Sequence, residues 1–183
     1  MEFNENKLIS IAKSYLNKAR PGDWNHALRV VSWVKKLSQK GEDTRLLIVA
    51  AYLHDVGWSG VWKGNKIELN KMLRLESIAN KNTTIFVKKI LSELNFSLND
   101  QSIVTRLIKA ADKHESSNHN EAIIVDADNL SKLSVKHVKE KYRPESYKEI
   151  IEKWEKEFPK RIKTKEGKKI YPYLLENLRT ELI

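Results

Sequence analysis

Leu46-Leu47-Ile48-Val49-Ala50-Ala51-Tyr52-Leu53-His54-Asp55-Val56-Gly57 is the stretch on which the fold turns. Its eight leading apolar residues show no polar face, so the segment is buried on all sides, and periodicity alone fits either helix or strand. The flanks favour helix: Glu42-Asp43-Thr44 supplies cap-type side chains and Gly57 offers a left-handed stop. An imidazole and a carboxylate, His54 and Asp55, end this apolar rod. Burying such a pair without partners is costly, and a divalent cation would satisfy both. Adjacent helical residues point about 100° apart. They can therefore converge only on an ion placed at the helix end, between their two directions.

Upstream, Lys7 to Ala19 carries Leu8, Ile11, Ala12, Tyr15, Leu16 and Ala19 at amphipathic-helix spacing, and Pro21-Gly22 breaks it. A second helix is expected from about Asp23 to Lys40, with Ala27, Val30, Val31, Val34 and Leu37 inside and Gly41 as its stop. His26 lies one turn before Val30 and shares that inner face. Downstream, Gly57 to Lys66 holds three glycines and two tryptophans, which describes either a packed surface loop or a substrate lid. Helices are expected at Leu69 to Asn80, Thr84 to Leu94 and Asp100 to Lys113, the last ending near His114. Glu115 to Glu121 reads as a polar loop. The apolar run Ala122-Ile123-Ile124-Val125 then leads into Asp126-Ala127-Asp128-Asn129-Leu130. Further helices are expected around Val135 to Tyr142, Tyr147 to Phe158 and Tyr171 to Leu182, with a Thr164-Lys165-Glu166-Gly167-Lys168 turn between the last two. Strand signals are scarce, and neither repeats nor a linker divide the chain. The expectation is an all-α, single-domain helical bundle over residues 1–183.

Composition agrees with this. A chain of 183 residues with 40% hydrophobic and 32% charged content suits one globular core with a charged surface. No apolar run reaches the roughly 18 residues of a membrane span, and Met1 to Asn6 lacks the basic and apolar regions of a signal peptide. A cytoplasmic location without membrane contact is expected. With no cysteine, disulfides, thiolate metal sites and cysteine nucleophiles are excluded. Much of the net charge of +10 lies between Lys132 and Lys169, where Lys and Arg mix with Glu as on a solvated helical surface. No nucleic-acid motif or aromatic-studded basic stripe accompanies it, so nucleic acid is a minor partner class.

The inward or apolar stretches carry His26, His54, Asp55 and either Asp126 or Asp128. Two imidazoles and two carboxylates suit one divalent ion of borderline-hard character: Mn, Fe, Co, Ni, Zn or Mg. Four protein ligands leave positions for water and a substrate oxygen, the chemistry of phosphate-ester hydrolysis.

Three segments in order, Asp23-Trp24-Asn25-His26-Ala27-Leu28-Arg29-Val30-Val31, Ala50 to Gly57, and Asp126-Ala127-Asp128-Asn129-Leu130, resemble the HD superfamily of metal-dependent phosphohydrolases. The resemblance covers a motif core of about 23–133, with C-terminal helices in 134–183, and the Thr164 to Lys168 stretch looks like the tail of small members. It implies His26, His54, Asp55 and Asp128 as metal ligands, since the last ligand of that family precedes x-Leu. Asp126 is then a helix N-cap. Asp55 and His114 become catalytic candidates, with Asp112 and His114 the nearest choices of general acid. Arg29 either binds phosphate or pairs with Asp55 or Asp128, and Lys66 and Lys113 are candidate phosphate contacts. His119 and His137 read as exposed. Two departures from the family pattern matter. No histidine falls between His54 and His114, which favours a single metal, and no carboxylate closely follows Asp55. The second departure argues against guanosine polyphosphates and deoxynucleoside monophosphates as substrates. The implied activity is hydrolysis of a nucleotide or other small phosphate ester. The rival readings are a non-hydrolytic relative, either an iron-dependent oxygenase or a nucleotide-binding regulator.

Overall fold

The computed structural model describes residues 4–39 and 43–183, and no strand occurs among them. Helix α1, Glu5–Leu16, is capped by the Asn4 side chain and buries Leu8, Ala12 and Leu16. After the break at Pro21, Gly22 takes φ 73°, a left-handed conformation, and its carbonyl accepts from the His26 N–H at 2.8 Å. That turn launches α2, Asp23–Leu37, with the expected inner face from His26 to Leu37 buried. α2 ends short of Lys40. The proposed stop at Gly41, like Glu42, lies outside the described residues.

The apolar rod is α3, Arg45–Leu53, buried at every residue from Leu47 to Leu53. It earns that burial by packing against α1, α2, α5 and α6. Its start differs in detail from expectation. The Thr44 side chain makes no cap bond, and the Asp43 carboxylate accepts from the Arg45 N–H at 2.9 Å instead. Gly57 is not a left-handed stop either. It sits in a 3-10 turn, Val56–Trp58, without positive φ. Its reason is space: a Cβ there would lie 2.1 Å from the Ala79 carbonyl oxygen and from Thr83 Oγ1. The turn is pressed directly against the next helix. The loop that follows is packed down, with Trp58 and Trp62 buried and Gly60 N–H donating to the Lys18 carbonyl at 2.9 Å.

The two helices expected between Leu69 and Leu94 are one, α4, Leu69–Glu93. No glycine or proline interrupts Lys81-Asn82-Thr83, and the Thr83 hydroxyl bonds back to the Ala79 carbonyl at 3.0 Å. α5, Leu98–Lys113, ends at His114, which adopts a left-handed φ of 55°. α6, His119–Lys132, starts from an Asn118 cap, so Glu115 to Asn118 form the expected loop while His119 to Glu121 join the helix of the apolar run. α7 is Val135–Lys141, α8 Tyr147–Arg161 and α9 Lys165–Leu182.

Asp126 therefore lies in the middle of α6 rather than at its N-cap. Its buried carboxylate accepts from Lys163 N at 2.7 Å, Thr164 N at 2.8 Å and Thr164 Oγ1 at 2.6 Å. It ties the corner before α9 to the core, and Gly167 is required beside it because a Cβ would come within 2.3 Å of Asp126 Oδ2. Around the buried rod, α2 packs on α6 and α3, α5 on α6 and α3, and α8 on α6 and α9. The C-terminal end of α3 thus lies beside the first turn of α2 and the C-terminal half of α6.

Candidate metal centre

Three elements deliver four side chains to one point. α2 brings His26, the end of α3 brings His54 and Asp55, and α6 brings Asp128; all four are buried. The two Nε2 atoms of His26 and His54 lie 3.1 Å apart. Asp128 Oδ1 is 3.1 Å from the first and 3.7 Å from the second. Asp55 Oδ2 is 3.7 Å and 3.4 Å from them. His26, His54 and Asp128 can each offer a ligand atom with all three inside 4.8 Å of one another.

The opposite ring nitrogens fix the protonation of this cluster. His54 Nδ1 is 2.9 Å from the Ala51 carbonyl, which can only accept, so Nδ1 carries the proton. His26 Nδ1 lies 2.9 Å from Ser131 Oγ, whose own proton goes to the Asp128 carbonyl at 2.8 Å. The hydroxyl then accepts, and His26 Nδ1–H donates. The two Nε2 atoms face each other, with two carboxylate oxygens beside them. Burial lowers the His26 imidazole to about 4, which keeps it neutral. His26, His54 and Asp128, with both rings oriented by backbone or hydroxyl acceptors, form a donor set suited to a divalent cation, and Asp55 lies beside both imidazoles but outside that group.

Cations already stand beside both carboxylates. Arg20 Nη2 is 2.5 Å from Asp55 Oδ2, and Lys132 Nζ is 2.6 Å from Asp128 Oδ2. Burial works to raise each carboxyl, but the Arg20 guanidinium holds Asp55 well below its usual range. Lys132 does the same for Asp128. Behind them, Lys141 pairs with Asp23, which also accepts from Arg20.

The cluster forms the floor of a cavity of about 200 Å³. Met72, Leu73 and Glu76 of α4 line one side, and Lys153, Trp154, Glu157 and Arg161 of α8 line another. Asp112 and His114 complete the wall. Burial pushes the Asp112 carboxyl up to about 7; Asp55 and Asp128 push the same way and His54 opposes them, while the residue keeps solvent access at the mouth. Burial, with Lys132, drives His114 down to about 3, and its Nδ1 has no hydrogen-bond partner among the described residues.

Three expected phosphate contacts are not in this wall. Arg29 turns to α7, where its guanidinium lies 3.2 Å from Glu140 Oε2 and 3.1 Å from His137 Nδ1. It pairs with neither Asp55 nor Asp128. Lys66 donates to the carbonyls of Lys139 and Glu140 at 2.6 Å and 3.1 Å, and Lys113 is exposed outside the cavity. His119 is exposed as expected, but His137 is buried, lines the cavity and stacks edge-on against His26 with centroids 5.0 Å apart. Sequence reasoning missed Arg20, Lys132, Lys141 and His137. Only Lys132 left a readable signal, since it follows Asp128 by four residues on one helix. Among known families, the HD domain model matches residues 23–133. No curated protein and no solved structure matches the chain.

Proposed function

Since this chain belongs to the HD-domain family, we propose that it is a metal-dependent phosphohydrolase acting on a nucleotide or another small phosphate ester. The observation that carries this reading is the pair of histidine Nε2 atoms, 3.1 Å apart, facing two carboxylates at the floor of a cavity walled in part by cationic side chains. His26, His54, Asp55 and Asp128 would hold one divalent ion. When bound, it supplies a Lewis acid for phosphoryl oxygen and acidifies water for attack on phosphorus.

The remaining roles belong to the chain. Ser131 and the Ala51 carbonyl keep the two imidazoles turned toward the ion. Lys132, Lys153 and Arg161 balance the charge that grows on the phosphoryl oxygens. His114, neutral through burial, offers a hydrogen-bonding ring nitrogen rather than a proton for release. Asp112, its carboxyl raised to about 7, supplies a proton to the departing oxygen. Met72, Leu73 and Trp154 receive the body of the substrate.

The test is hydrolysis of a panel of nucleotides and p-nitrophenyl esters with Mn, Co, Ni, Mg and no metal. Wild type is run beside His54→Ala and Asp55→Ala. Metal-dependent turnover that both substitutions abolish is the expected result. A protein that binds a metal but turns over nothing on the panel would instead be a binding or oxygenase member of the family.

A further inference from the structure

Arg20 stands at the metal centre, yet it has no part in the hydrolysis proposed for it. Its Nη2 touches Asp55 Oδ2, the same oxygen that faces both histidine Nε2 atoms. The rest of the side chain is anchored. Asp23 Oδ2 accepts from Arg20 Nε at 3.1 Å and from its backbone N–H at 2.9 Å. The guanidinium carbon lies 4.3 Å from the centre of the Trp58 ring. Among the described residues Nη1 meets only the Met72 sulfur, at 3.7 Å, and Arg20 lines the cavity. A fixed guanidinium with spare donors therefore faces the site.

The second carboxylate is arranged differently. Lys132 engages Asp128 through Oδ2 and leaves Oδ1, the oxygen nearest the imidazoles, free for an ion. Asp55 presents one oxygen to two claimants, a divalent ion and Arg20. Two cations sharing that oxygen repel, so an ion entering the centre must weaken the Arg20 bond or accept a weakened ligand. A phosphate arriving in the cavity offers Arg20 a replacement acceptor with fork-matching geometry.

We propose that Arg20 couples the two ligands of the centre, holding Asp55 back from the metal until a phosphate group takes over its hydrogen bonds. Metal and phosphate then promote each other's binding through this one side chain, by the same factor in both directions. The proposal rests on the metal-centre reading and makes Arg20 a positioning residue for Asp55.

Titration calorimetry of Co²⁺ into wild type, Arg20→Gln and Arg20→Lys tests this, each with and without methylphosphonate, a non-hydrolysable carrier of the phosphate charge. Without methylphosphonate, Arg20→Gln should bind the ion roughly fivefold or more tighter than wild type, since the competing cation is gone. The tightening caused by methylphosphonate should be smaller in the variant than in wild type. Arg20→Lys, which keeps charge but cannot bridge Asp23 and Asp55 with a fork, should fall between and stands in if the glutamine variant fails to fold. A purely structural arginine predicts the opposite, equal or weaker metal binding in both variants, and that result would overturn the proposal. A wild-type chain that binds no ion would overturn the metal-centre reading itself.

Discussion

Which ring nitrogen carries the proton decides what the two central histidines can do. Ser131 is fully buried and holds His26 in the tautomer that leaves Nε2 bare. Ser131→Ala should weaken metal affinity about tenfold or more while leaving the helical circular dichroism spectrum intact, because the ring loses its orienting acceptor. Titration with Co²⁺ reads this directly, and unchanged affinity would mean that the Ala51-bound His54 alone sets the geometry. Asp112 invites a separate kinetic test. Asp112→Asn should lower kcat on an alkyl phosphate by about 10²-fold. The loss on a p-nitrophenyl ester should be far smaller, because that leaving group departs without a proton. Equal losses on both substrates would remove Asp112 as the acid.

Elements are held to one another at a few points that leave no slack. Gly57 lets the 3-10 turn lie against α4 at a distance no Cβ tolerates. Gly57→Ala should cost about 1–3 kcal/mol in urea denaturation, as overpacking against backbone does. A shifted turn would also move His54 and Asp55, so metal affinity should fall with stability. Asp126 performs the matching task where the corner before α9 meets α6. Asp126→Ala leaves Lys163 N and Thr164 N without their acceptor and should cost about 3 kcal/mol. Amide exchange in α9 should accelerate ahead of the other helices. Metal binding should survive, which separates Asp126 from Asp128.

Across the whole molecule, acid should destabilise the metal-free protein. Burial lowers His26 to about 4, His114 to about 3 and His137 well below its ordinary value. A depressed folded value means that the stability contribution is present above the unfolded value of 6.5 and is lost as pH falls toward the folded one. Asp112 runs the other way. Its folded carboxyl keeps a proton up to about 7 while the unfolded chain releases it near 3.8, so it stabilises as pH falls through that window. Asp126, also raised by burial, acts in the same direction as Asp112. Three histidines outweigh these two carboxyls, and below pH 4 the depressed Asp55 and Asp128 add to the loss. Each net proton taken up on unfolding changes stability by about 1.4 kcal/mol per pH unit. Melting curves in chelator from pH 7.5 down to 4.5 should show a falling Tm, and a rising Tm would mean that the two raised carboxyls outweigh the three histidines.

Much of this protein was legible in one dimension. The eight-residue apolar run, the inward spacing of His26 with Val30 and Val34, and the three ordered motifs identify an all-α HD-domain chain and single out the side chains that meet at the centre. These features are local, because a helix's period fixes which residues face inward before any partner is present. What faces them is not local. Arg29 lies one turn from His26 yet pairs with Glu140 on α7, while Arg20, outside every helix, reaches Asp55. His137 sits in a lysine-rich stretch and is buried because α7 is folded over α2's histidine. Asp126 caps a corner contributed from 37 residues downstream. Such pairings depend on how helices pack, and a long side chain at the end or outside of a helix takes whichever opposite charge that packing brings within reach. The sequence therefore determined most of the helices and the inward-facing side chains of the centre, and the tertiary structure alone decided which cations and carboxylates surround them.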